Sequence, residues 1–74
     1  MDDTEYGIVK CIATGAVAMG CIVNTDEAQW DEEAVSVVIE AVVNGARSMG
    51  ILITEDEAYS ICRGLGMAEV GDPF

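Results

Sequence analysis

The sequence contains an internal repeat with a period of thirty residues, and this repeat limits the folds open to the chain. Residues 15–28 read GAVAMGCIVNTDEA, and residues 45–58 read GARSMGILITEDEA. Seven of the fourteen aligned positions are identical without a gap. Self-similarity at a fixed offset is typical of a structural unit used twice. We therefore predict two related units, at about 5–34 and 35–64, within a single helical domain over 1–64.

Each unit combines a helix-stopping glycine with a helix-starting cap. Gly20 and Gly50 each stand where a helix is expected to stop, and glycine adopts the left-handed conformation that ends helices at little cost. Asn24 and Thr54 each precede a glutamate by three residues, which is the spacing of a capping box. The predicted unit is a long helix, a glycine stop, a short apolar connector and the start of another helix.

The segments before these glycines have the periodicity of helices. Polar residues recur every four positions in both copies, at Tyr6, Lys10 and Thr14 and at Ser36, Glu40 and Asn44. One narrow polar stripe on an otherwise apolar segment indicates an amphipathic helix. The run 35–39 (VSVVI) is rich in β-branched residues but lacks the alternation of a strand, so we assign it to a helix as well.

The predicted fold is an all-α bundle of about four helices, two long and two short. They span about 4–19, 25–30, 32–49 and 55–63. Asp31 is a candidate N-cap for the third of them, and a single helix over 25–49 is the alternative. Residues 65–74 contain two glycines and a proline, and we expect a loosely ordered tail there.

The charge of the chain excludes several classes of function. Fourteen acids, three bases and no histidine give a formal net charge of −11. Nucleic-acid backbones and anionic membranes are both bound by clusters of Lys and Arg, so we expect neither as a direct partner. A hydrophobic fraction of 51% also distinguishes the chain from an acidic disordered tail.

The apolar run 7–23 could be a membrane span or a buried helix. It is short for a span, and it contains a lysine together with several glycines and alanines that contribute little to insertion. We therefore favour a buried helix. Cys11, Cys21 and Cys62 form no CxxC pair and are odd in number, so we interpret them as small core residues of a protein in the reducing cytoplasm.

The sequence lacks the motifs of an enzyme, a metal site or a carrier. It has one lysine, no histidine, and neither a nucleophile elbow nor a phosphate-binding glycine loop. A stretch counted from Asn24 has Gln29 and Val35 where an EF-hand needs glycine and glutamate. Ser36 lacks the Asp-Ser-Leu context of an acyl carrier protein. We predict a non-enzymatic protein without a metal or a cofactor.

A stripe of small residues on the first helix predicts a surface for another helix. Gly7, Cys11, Gly15 and Ala18 recur at i, i+4, i+8 and i+11. The stripe could pack against the equivalent helix of the second unit or mediate self-association. Both long helices are apolar around most of their circumference, and a 74-residue monomer is too small to bury all of this apolar surface. We therefore predict a homodimer.

The acids cluster where helices are predicted to begin. Carboxylates complement the helix dipole there, which accounts for their position but not for their excess. We predict that they form a recognition face for a basic protein partner, consisting of Asp26, Glu27, Asp31, Glu32, Glu33, Glu55, Asp56 and Glu57. Trp30 lies among them and is either an interface hot spot or a core residue.

The leading functional hypothesis is an acidic interaction module that binds or inhibits a basic protein, for example one that binds nucleic acid. DNA mimics and phage-encoded inhibitors such as anti-CRISPR proteins are comparable in size and charge, without a resemblance in sequence. The alternative is a structural subunit of a helical homo-oligomer. A carrier or small-ligand module is a third possibility.

Overall fold

The fold is all-α, as predicted. The computed structural model describes residues 2–20 and 30–67 and the backbone of residues 21–23. Within these ranges the helices are α1 (Asp3–Val23), α2 (Glu32–Ser48) and α3 (Glu55–Gly64), and there is no β-strand. The predicted short helix at 25–30 and the Asn24 cap lie almost wholly outside the described residues. The four-helix count and the duplicated unit therefore stay predictions.

Reciprocal caps fix the starts of α1 and α3. The Glu5 N–H donates to Asp2 Oδ1 at 2.7 Å, and the Asp2 N–H donates to Glu5 Oε1 at 3.2 Å. Thr54 and Glu57 form the same arrangement, in which each backbone N–H lies 3.1 Å from the side-chain oxygen of the other residue. The capping box predicted at Thr54 is confirmed, and each box satisfies backbone donors that the helix itself leaves unpaired.

Asp31 begins α2 as its N-cap. Its backbone is extended, with φ −73° and ψ 168°, and its side chain accepts the Ala34 N–H at 2.8 Å. An extended residue interrupts a helix, so the alternative of one helix over 25–49 is wrong. The β-branched run 35–39 is helical, and its residues Val35, Val38 and Ile39 are buried on one face of α2.

We predicted from the repeat that the first long helix stops at Gly20, and this prediction is wrong. α1 continues to Val23, so the predicted connector after Gly20 has helical backbone. A Cβ placed on Gly20 would lie 2.8 Å from Cζ3 and 3.0 Å from Cζ2 of Trp30, and it would also contact Cη2. Gly20 therefore allows the indole ring to pack directly against the helix backbone, and it does not act as a helix terminator.

The second copy ends at its glycine, as predicted. Gly50 has φ 81°, and its N–H donates to the Arg47 carbonyl at 2.9 Å. The Ile51 N–H donates to the Ala46 carbonyl, also at 2.9 Å. This pair of hydrogen bonds is the Schellman motif. It turns the chain so that Ile51 becomes buried beside Ala46.

α3 ends by the same motif, one residue after the predicted end at residue 63. Gly64 is still helical, and Gly66 takes the positive φ of 105°. The Met67 N–H donates to the Cys62 carbonyl at 3.1 Å, and both side chains are buried. Met67 is therefore a core residue, although it lies beyond residue 64. Residues 68–74 lie outside the described part of the chain.

The core forms where one face of each helix meets the other two helices. α1 and α2 run antiparallel: Gly20, near the end of α1, lies against Trp30 just before α2, while Gly45, near the end of α2, lies against Ile12 in the middle of α1. α3 packs against both. The buried apolar residues are Val9, Ala13, Val17, Trp30, Val35, Val38, Ile39, Val42, Ala46, Ile51, Ala58, Cys62 and Met67.

Candidate interaction surfaces

The acidic first turns of α2 and α3 line one cleft, which we call the acidic cleft. It has a volume of about 190 Å³. Its lining consists of Glu32, Val35, Ser36 and Ile39 from α2 and of Glu55, Asp56 and Tyr59 from α3. All three carboxylates are exposed. The structure thus brings together acids from two of the predicted clusters, because α3 packs beside the first turns of α2.

Two of the predicted recognition carboxylates are used as helix caps. Asp31 accepts the Ala34 N–H, and Glu57 accepts both the N–H and the hydroxyl of Thr54, at 3.1 and 3.2 Å. Each capping carboxylate is therefore turned toward its own helix start. In the described part of the chain, Glu32, Glu33, Glu55 and Asp56 are the exposed members of the predicted face without a capping role. Asp26 and Glu27 fall outside the described residues.

A basic side chain lies on the aromatic residue of the acidic cleft. Arg63 Cζ is 5.8 Å from the centroid of the Tyr59 ring, and Arg63 Nη1 donates to Tyr59 Oη at 3.2 Å. A guanidinium over a tyrosine ring is held by cation–π attraction. One of the three bases of the chain is therefore held on a lining residue of the acidic cleft by an intrahelical contact.

Trp30 is a core residue in this structure. Its side chain is only 4% exposed, and its ring lies against Gly20. Of the two interpretations that the sequence left open, core packing is the one that the structure gives. In this conformation the indole ring offers almost no surface to a partner.

The small residues of α1 face away from the core. Gly7, Cys11, Gly15 and Ala18 are all exposed, and a Cβ on either glycine would have no neighbour within 4 Å. The core face of α1 instead contains the buried residues Val9, Ala13 and Val17. The interpretation that the stripe packs against the second unit is therefore wrong. Self-association through the stripe stays a prediction.

The cysteines differ in their surroundings. Cys62 is fully buried, and this burial raises the pKa of its thiol by disfavouring the thiolate. It fills the core as predicted. Cys11 is exposed on the small-residue stripe, so its assignment to the core was wrong. The side chain of Cys21 lies outside the described part.

A larger groove, which we call the α1–α2 groove, lies between these two helices and was not predicted. It has a volume of about 370 Å³. Its lining residues are Ala16, Met19, Gly20, Asp31, Glu33, Ala34, Val37 and Val38. Met19 and Val37 are 60% and 61% exposed. Periodicity assigned them to apolar helices, but only the relative position of α1 and α2 determines that they line an open groove.

Comparison of the chain with protein-family models, with curated proteins and with solved structures finds no match. Among the described residues, no group of three or more His, Cys, Asp and Glu side chains is arranged to hold a metal ion. No helix in the same ranges has both the length and the hydropathy needed to cross a bilayer.

Proposed function

We propose that this chain is a non-enzymatic interaction module that binds a basic surface of a protein partner through the acidic cleft. The supporting observation is that Glu32 lies in one cleft with Glu55 and Asp56, although the two segments are more than twenty residues apart. Carboxylates that converge on a cleft focus a negative potential there. Such a potential attracts Lys and Arg side chains and increases the rate of association with a basic partner.

The proposal extends to inhibition of a basic protein, such as one that binds nucleic acid. Exposed carboxylates presented from helix ends can occupy positions that phosphates would otherwise take on the basic partner. With a net charge of −11, the chain as a whole adds long-range attraction to the local effect of the cleft. Because salt screens exposed charges, binding of this kind weakens as ionic strength rises.

Two charge-reversal variants with the same net charge test whether the cleft is the binding site. Glu32→Lys/Asp56→Lys changes the acidic cleft, and Asp3→Lys/Glu40→Lys changes exposed acids that do not line it. Binding of a lysine-rich peptide is measured by calorimetry. We expect the cleft variant to lose about tenfold in affinity and the control to lose much less. Thermal denaturation checks that both variants fold.

Two results would contradict this assignment. Equal losses in the two variants would mean that net charge attracts the peptide and that the cleft has no special part. An affinity that does not change between about 50 and 300 mM salt would exclude charge attraction as the basis of binding.

The exposed small-residue stripe favours a second candidate function, a subunit of a helical homo-oligomer. Small side chains allow a second helix backbone to approach closely, and nothing in the described part of the chain covers Gly7 or Gly15. We expect light scattering to give twice the chain mass of 7.8 kDa and Gly15→Glu to give a folded monomer. A wild-type monomer at micromolar concentrations would exclude this candidate.

A further inference from the structure

We propose that the α1–α2 groove receives the apolar side chains of a basic amphipathic helix in the partner. This inference rests on the proposed function, because it specifies what the basic partner presents. It concerns a different surface from the acidic cleft, and the adjacent residues Glu32 and Glu33 line the cleft and the groove respectively. The first turn of α2 therefore separates the two surfaces.

The groove has the chemistry of a site for apolar side chains. Small residues of both helices form much of its lining: Ala16 and Gly20 from α1 and Ala34 from α2. Met19 and Val37 add large apolar surfaces that are more than half exposed. Exposed apolar patches next to polar residues often mark interaction sites, and about 370 Å³ is within the range of ligand pockets.

The charged residues of the groove favour an occupant with positive charge. Asp31 and Glu33 are the charged residues among the described residues of its lining, and no Lys or Arg of the described part belongs to it. Asp31 caps α2, so Glu33 is the lining carboxylate without a capping role. A helix with an apolar face bordered by Lys or Arg would place its apolar residues between α1 and α2 and a base beside Glu33. This is the helix-in-groove mode of recognition, with charge providing specificity.

A second copy of this chain fits the groove less well. Each copy has a formal net charge of −11, so a copy seated here would bring carboxylates toward the carboxylates of the groove. Like charges at an interface oppose association. We therefore commit to a basic helix as the occupant.

The single tryptophan provides a signal for occupancy. Trp30 packs against Gly20, which is itself a lining residue of the groove. A helix seated in the groove would contact Gly20 and so change the surroundings of the Trp30 ring. We therefore expect a change in Trp30 fluorescence that saturates with added peptide and matches the calorimetric titration.

The test uses two synthetic peptides of identical Lys and Leu composition. In one, the leucines recur at i, i+3, i+4 and i+7 and form a single face, whereas in the other they are distributed around the helix. Both are titrated into the full chain at one salt concentration. We expect the amphipathic peptide to bind about tenfold more tightly than the distributed one, since only it presents a continuous apolar face.

Two aspartate variants separate groove binding from charge attraction. Val37→Asp places a charge in the groove, whereas Leu52→Asp places the same charge at a side chain that is 81% exposed and does not line it. If charge alone attracts the peptide, both variants should bind it as tightly as the wild type or more tightly. Binding in the groove predicts about a tenfold loss for Val37→Asp only. Met19→Gln, without a charge change, is the second groove variant if Val37→Asp fails to fold.

The outcomes distinguish this inference from the proposed function. Equal affinity for the two peptides, or equal affinity in the two aspartate variants, would overturn the groove proposal while leaving binding to basic partners in place. Absence of binding to either peptide would overturn both. If Val37→Asp converts an oligomer to a monomer with unchanged peptide affinity, the occupant is a second copy and the proposal is wrong.

Discussion

Residues 15–20 and 45–50 have closely similar sequences, GAVAMG and GARSMG, but the chain continues differently after each. α1 remains helical through Gly20 to Val23, whereas α2 ends at Ser48 and Gly50 takes a φ of 81°. Gly20 lies under the ring of Trp30, while a Cβ on Gly50 would meet nothing within 4 Å. The same residue type thus provides close packing in one copy and a left-handed turn in the other.

Positions that differ between the copies agree with this contrast. Val17 is buried in α1, whereas its counterpart Arg47 is exposed in the last turn of α2. A cation there interacts favourably with the helix dipole. The Ser48 hydroxyl donates to the Gly45 carbonyl at 2.7 Å near the end of α2. The substitutions in the second copy therefore favour a helix end at a place where the first copy continues its apolar face.

The largest expected effect comes from Gly20→Ala. The new methyl group would overlap the Trp30 ring, and because the ring is buried it cannot move aside easily. We expect a loss of about 1–3 kcal/mol in the free energy of unfolding, measured by urea denaturation.

Trp30→Phe provides the control for this effect. The smaller Phe ring leaves room for the methyl group, so Gly20→Ala should reduce the free energy of unfolding clearly less in the Trp30→Phe variant. A double-mutant cycle measures this difference. A Gly20→Ala variant that is more stable than wild type would show that this glycine is an ordinary helix-interior residue and that the contrast with Gly50 is wrong.

Gly50→Ala should be less destabilising. Its cost arises from backbone conformation, because a residue with a Cβ is strained at positive φ by about 1–2 kcal/mol. The same denaturation experiment measures it. Gly50→Asn should recover part of the loss, since asparagine tolerates the left-handed region better than alanine. Equal stability of the Ala and Asn variants would contradict the assignment of the cost to φ.

The smallest expected change in stability is the difference between alanine substitutions at Gly15 and at Gly45. Both are helical and equivalent in the repeat, but Gly15 has open space around it while a Cβ on Gly45 would lie 2.9 Å from Ile12 Cγ2. Gly15→Ala should stabilise the protein by about 0.5–1 kcal/mol through helix propensity. Gly45→Ala should add little stability or reduce it, because the new Cβ would force the Ile12 side chain to shift. Equal gains in thermal denaturation would show that the two helices pack alike here.

The sequence predicted local features well where local interactions decide them. The helical nature of 35–39, the Asp31 cap and the Thr54–Glu57 capping box depend on residues within one or two turns of each other. The recognition face stays a prediction, of which the acidic cleft brings Glu32 together with Glu55 and Asp56. The α1–α2 groove was missed, since periodicity indicates that Met19 and Val37 belong to apolar helices but not which neighbour covers them.

By itself, the sequence determined the helical class, the acidic helix starts and the glycine that ends α2, because spacing, capping and backbone conformation act over a few residues. Only the tertiary structure decided that Gly20 packs under Trp30, that the stripe of Gly7 and Gly15 faces outward, and that Met67 belongs to the core. These outcomes depend on which surfaces meet across the chain. A repeated sequence specifies the same local preferences twice, but it does not specify the same neighbours.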